Sequence, residues 1–134
     1  MRRAAVWLAL LFCMAGALPV RAAEVRLNAA EEAALAQFCA VAAAGEPFVC
    51  RLGVAAAMLN RLADARYPDT VSGILAEAGG VRGRVGGDAY RRALSAVQAA
   101  ELGMDPTGGA LLWARAGSFR FPVSFAAGGM EFGG

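Results

Sequence analysis

Residues 51–78 read "RLGVAAAMLNRLADARYPDTVSGILAEA", and this stretch decides the fold class. Val54, Met58 and Leu62 recur at every fourth position, which makes one apolar stripe, so the spacing predicts a helix over 51–65. Asn60 and Arg61 near its end are placed to tie it to neighbouring loops. Arg-Tyr-Pro-Asp-Thr then interrupts the pattern, and Asp69 or Thr70 can cap a short helix through "VSGIL". Upstream, Asn28 followed by Glu31 forms a capping box that opens a helix at Ala29. Leu35, Phe38, Cys39 and Ala42 supply its apolar face, and Gly45 and Pro47 end it. Downstream, "GGVRGRVGGD" at 79–88 reads as a mobile surface loop. A further helix is expected over 89–102, with Tyr90, Ala93, Val97 and Ala100 facing inward and Gly103 and Pro106 stopping it. "DPTGGALLW" reads as a tight turn feeding a short strand, and the tail "FRFPVSFAAGGMEFGG" as one more strand. The expectation is a mainly α (α+β) chain with a short C-terminal β segment.

The 134 residues suit one domain. The first of them read as a secretory leader. Arg2 and Arg3 precede "AAVWLALLFCMAGAL", an apolar run of about 15 residues where a spanning helix needs ~20, and Val20 and Ala22 suit a cut after Ala22. Residues 1–22 are therefore expected to be a signal peptide and 23–134 the single domain, secreted or periplasmic, with no stable membrane anchor after cleavage. All 13 basic residues are arginine; losing Arg2, Arg3 and Arg21 leaves 10 against 11 acids, a net charge near -1. The apparent basicity thus belongs to the leader, and no nucleic-acid partner is supported.

Cys13 leaves with the leader, so Cys39 and Cys50 remain as a pair that an oxidising compartment can join. Such a bridge would contribute roughly 3 kcal/mol. With no histidine in the chain, Ser-His and Cys-His pairs are excluded, and two thiols do not complete a metal shell. No phosphate loop is present either, and no cofactor or metal is expected.

"AAAGEP" at 42–47, "VAAAMLNR" at 54–61, "YPDTVSGIL" at 67–75 and "DPTGGAL" at 105–111 together resemble the SleB and CwlJ-like cell-wall hydrolases in order and spacing. The best match runs over 39–112. The resemblance implies a small helical domain of lysozyme or transglycosylase type, acting on the glycan strands of peptidoglycan. In that family one glutamic acid on the first helix protonates the glycosidic oxygen. A transglycosylase manages with one carboxyl because the sugar's own 6-hydroxyl closes on the oxocarbenium-like centre, whereas a water-using hydrolase normally needs two. Either way the acid must hold its proton near neutral pH.

Laid on this chain, the family's acid falls on Ala42, which has no proton to give. Glu46 matches the second glutamate of the pattern and is the candidate relocated acid. The family's Gln-Pro-Gly-Gln-Phe stretch becomes "EAGGV" at 77–81, its Tyr-Asn-Pro is replaced within "LWARAG", and its histidine falls on Met130. The resemblance makes Glu77, Asp105, Thr107, Gly108, Gly109 and Trp113 candidate substrate-binding residues. For Asp105, which precedes Pro-Thr-Gly-Gly, bonding the amides of its own turn is the favoured role, and Trp113 or Phe119 is as suited to completing a small core as to stacking on a sugar. Arg82, Arg84, Arg91 and Arg92 suit peptide-stem carboxylates or a solvated face, while Glu31, Glu32 and Glu101 read as surface and capping charges.

Three functions fit these residues. The first is a catalytically impaired envelope protein that binds peptidoglycan or a cell-wall enzyme. The second is an active hydrolase or lytic transglycosylase using Glu46. The third is an exported helical protein with an unrelated binding role.

Overall fold

The computed structural model describes residues 25–134; the expected signal peptide and Cys13 lie outside the described residues. Helices α1 (Ala29–Ala42), α2 (Phe48–Leu62), α3 (Val71–Glu77) and α4 (Gly87–Glu101) precede strands β1 (Leu112–Arg115), β2 (Val123–Ala127) and β3 (Met130–Gly133). The mainly helical class with a C-terminal β segment is what the periodicity called for. None of the described helices is long and apolar enough to cross a membrane.

Local signals set the helix ends. Asn28 accepts from the Glu31 amide at 2.8 Å while the Glu31 carboxylate accepts from the Asn28 amide at 3.0 Å, completing the capping box. Thr70 caps α3 by accepting from the Gly73 amide at 3.1 Å. The second helix begins three residues earlier than expected, directly after Pro47, because proline at a helix start gives up only an amide that would lack a partner anyway.

Helix α4 packs against both α1 and α2. The core gathers Leu35, Val54, Met58, Leu59, Ile74 and Val97, with Phe132 of β3 fully buried among them. Gly53 permits this, because a Cβ there would stand 2.7 Å from Phe132 Cζ. A glycine inside a helix costs about 1 kcal/mol of propensity, and here the ring of Phe132 takes the space it leaves.

The tail forms two strands rather than one. Gly128, at φ 54, and Gly129 turn β2 back into β3, so the sheet is antiparallel in the order β1-β3-β2. The central strand is therefore the last one. Its alternation puts Met130 and Phe132 inward, at 6% and 0% exposure.

The expected Cys39–Cys50 bridge is absent: both residues are buried free thiols. Cys39 lies in the core on α1, and the Cys50 thiol donates to the Ala127 carbonyl of β2 at 3.2 Å. Burial pushes both thiols above their ordinary range; at Cys50 the Glu46 carboxylate adds to the rise and Arg51 opposes it. Glu101, read from the sequence as a surface charge, instead holds the start of the domain by accepting from the Leu27 amide at 2.8 Å.

Candidate functional site

Three clefts follow α1 in succession. The first, about 840 Å³, lies between α1 at Ala33, Ala34 and Gln37 and the glycine-rich loop at Val81, Gly83, Arg84 and Val85. Next along the helix is one of about 400 Å³, between Phe38, Val41 and Ala42 on one side and Ala78, Gly80 and Arg82 on the other. Last comes one of about 430 Å³ at the helix end, bounded by Glu46, Arg115, Gly129 and Met130. Val41, Ala42 and Trp113 line both of the latter two, so Ala42 sits where they join.

Trp113 is braced from two directions. Phe38 meets it edge-on with ring centroids 5.8 Å apart. The Arg61 guanidinium lies 4.7 Å from its centroid and 4.9 Å from that of Tyr67. Arg61 is itself buried, with Nε donating to the Leu111 carbonyl at 2.8 Å and Nη1 paired to Glu77 at 3.2 Å. Glu77, a candidate groove residue by sequence, thus serves as the partner of Arg61 behind the tryptophan. The role of Arg61 in fixing Trp113 was invisible in the sequence, where only the position of Arg61 at a helix end marked it.

Glu46 borders the last cleft, but its carboxylate is engaged. Oε2 accepts from the Gly129 amide at 2.8 Å, across 83 residues of chain, and a Cβ at Gly128 would collide with the same oxygen. The Glu46 carbonyl accepts from Arg51 Nη1 at 3.0 Å. Glu46 therefore joins the α1–α2 turn to the β2–β3 hairpin.

Asp105 and Thr107 are not on the groove. They are 3% and 1% exposed, and the Asp105 carboxylate is saturated from within. Oδ1 accepts from the Thr107 amide at 2.8 Å and its hydroxyl at 2.5 Å; Oδ2 accepts from Gly109 N–H and Asn60 Nδ2, both at 2.9 Å. Burial alone would raise this carboxyl, but the bonds from Thr107, Asn60 and the Thr107 and Gly109 amides outweigh it and hold the pKa below the usual range. Gly108 and Gly109 are exposed at the tip of this turn, away from the three clefts. Among the described residues, no group of three or more Cys, Asp or Glu side chains is placed to hold a metal ion.

The spore cortex-lytic enzyme of Bacillus cereus is 40% identical to this chain over 73 residues, 52% of the chain and 28% of that enzyme. Those of Oceanobacillus iheyensis and Halalkalibacterium halodurans are 40% and 42% identical over 75 and 72 residues, covering 53% and 51% of the chain but 27% and 22% of theirs. The chain is thus similar to less than a third of each of these longer relatives. No family profile matches it. The crystal structure of the SleB catalytic domain from Bacillus cereus superposes with a TM-score of 0.64 at 26% identity, covering 85% of this chain and 98% of that domain. The catalytic domain of the germination-specific lytic transglycosylase SleB from Bacillus anthracis gives 0.67 at 25%, covering 84% and 100%. The chain is SleB-like in sequence and in fold. The SleB-like fold here spans nearly the whole described chain, including the C-terminal sheet beyond the best sequence match.

Proposed function

We propose that this chain is an exported SleB-like domain that holds peptidoglycan glycan strands in the groove along α1 without cleaving them. The observation that carries this is Ala42, a methyl group at the junction of two clefts beside a braced tryptophan. Glycosidic cleavage needs a proton on the departing oxygen. Among the described residues, the one carboxylate bordering these two clefts is Glu46, and it already accepts from Gly129 N–H. Trp113 lines both clefts and gives a sugar apolar aromatic surface to lie against, which requires no proton donor to bind.

The test is purified full-length processed protein mixed with isolated sacculi. The expected result is co-sedimentation without released muropeptides. The variant Ala42→Glu should then release muropeptides, because it restores a carboxyl at the cleft junction. Release by the wild type that vanishes in Glu46→Gln would overturn this reading in favour of a relocated acid. Failure to co-sediment would remove the glycan-holding role itself.

A further inference from the structure

The three clefts along α1 carry an uneven charge. Arg84 lines the first, Arg82 the second and Arg115 the third, while among the described residues Glu46 is the single acid bordering any of them. Of the seven other described arginines three are neutralised locally, Arg61 by Glu77, Arg66 by Asp64 and Arg91 by Asp88, while Arg26, Arg51, Arg92 and Arg120 line none of the three clefts. Among the described residues, no ion pair engages Arg82, Arg84 or Arg115. All three are exposed, and residues 25–134 contain ten arginines and ten acids, so the groove is cationic on a domain of no net charge.

The loop that presents two of these arginines is held down rather than free, contrary to its glycine-rich reading. Gln37 of α1 clamps Val85 with both ends of its amide, Nε2 donating to the carbonyl at 2.9 Å and Oε1 accepting from the N–H at 3.0 Å. Arg84 is the residue beside that clamp. Arg82 folds back to donate from Nε to the Gly79 carbonyl at 3.4 Å, which leaves its terminal nitrogens for a ligand. On the opposite wall, Arg115 pairs across the sheet with Met130, which also lines the third cleft. From Ala33 to Ala42 the helix rises about 14 Å, so the arginines are spread along a track suited to a chain and not gathered on one small anion.

We infer that this groove selects glycan strands by their peptide stems, with Arg82, Arg84 and Arg115 taking the stem carboxylates while the sugars lie along α1 and Trp113. The inference rests on the reading of the groove as a peptidoglycan site and adds the feature of the polymer that is recognised. The planar guanidinium suits a carboxylate because two parallel N–H groups meet its two oxygens. Each exposed contact is weak and screened by salt, so the selectivity comes from the three acting together along one strand.

The test measures retention of the full processed chain on three preparations: untreated sacculi, sacculi with carboxyls amidated by carbodiimide and ammonia, and sacculi stripped of phosphate polymers with hydrofluoric acid. Amidation should lower affinity about tenfold, as should the combined variant Arg82→Gln, Arg84→Gln, Arg115→Gln. Raising the salt should weaken the wild type and leave that variant unaffected. A control carrying Arg26→Gln, Arg92→Gln and Arg120→Gln removes the same charge off the groove and should stay within about twofold. Equal melting temperatures would show that both sets of exposed changes leave the fold intact. Undiminished retention on amidated sacculi, or by the groove variant, overturns stem selection while leaving the glycan-holding reading standing. Loss on phosphate stripping without loss on amidation also overturns it, assigning the arginines to phosphate. Absence of binding to untreated sacculi overturns both.

Discussion

The Asp105 turn and the Ala42 junction are both built from stretches that match the same family pattern, yet they are opposites physically. At the turn, a buried carboxylate receives four hydrogen bonds from Asn60, Thr107 and Gly109, leaving nothing to offer a ligand. At the junction, two clefts meet over a methyl group and an indole, with open space and no acid at the centre. A polar group satisfied inside the protein supports the fold; an unfilled concavity beside exposed guanidiniums is where a partner can be taken. Matching a motif therefore says which residues are present, and burial and hydrogen bonding say which of the two tasks they perform.

Substitutions in the turn are the strongest way to break this contrast. Asp105→Ala strands the Asn60, Thr107 and Gly109 donors and should cost about 3 kcal/mol in urea unfolding. A cost under about 1 kcal/mol, or unfolding unchanged alongside loss of sacculus binding, would move Asp105 from the scaffold to the groove. Thr107→Val keeps the shape but removes a hydroxyl that donates to Asp105 and accepts from the Ala110 amide at 3.0 Å. It should cost about 2 kcal/mol.

The turn also predicts a pH dependence. The folded Asp105 pKa is depressed, so its ionised form stabilises the protein above the ordinary carboxylate value of about 3.9. That contribution is lost as pH falls through the folded value. Asp105→Asn should therefore flatten this acid limb of the stability profile, measured by unfolding from pH 7 downward. A limb identical to that of the wild type would mean the loss arises from other carboxylates. Glu101 runs the other way: burial raises its pKa despite the Leu27 amide, so its protonated form is favoured by folding and that contribution fades as pH rises.

The smallest expected effect sharpens the comparison on the groove side. Glu46→Gln keeps an acceptor for the Gly129 amide but removes the charge that strengthens the bond, costing about 1 kcal/mol. Sacculus retention should stay within about twofold, since this carboxylate, although it borders the third cleft with Arg115, is already engaged by the Gly129 amide. A large gain in retention would instead show that its negative charge had been opposing the ligand.

Much of the helical framework was legible. The capping box at Asn28 and Glu31, the stripe through Val54, Met58 and Leu62, and the Thr70 cap all depend on residues within a few positions of one another. The tail was read less well. Strand alternation is weak over "VSFAAGGMEF", and nothing local shows that the last strand inserts between the other two. Cys39 and Cys50 suggested a bridge because they remain as an even pair once the expected leader is removed into an oxidising compartment. Their surroundings decided otherwise, with Cys50 bonding to Ala127. In the groove, Ala42 was identifiable from its motif, but the bracing of Trp113 by Arg61 was not. The contacts that mattered for Glu46, Gln37 and Arg61 span 83, 48 and 50 residues.

The sequence by itself determined the capped helix starts at Ala29 and Val71, that the domain is mainly helical, and that no carboxyl stands at position 42. Those properties follow from short-range capping, periodicity and the chemistry of one side chain. Only the tertiary structure decided that Asp105 is sealed in a turn, that Glu46 is tied to the Gly128–Gly129 hairpin, and that Arg82, Arg84 and Arg115 share one groove. Hydrogen bonds and burial at these sites are made between segments distant in the chain, so they come into existence only when the core closes around Phe132.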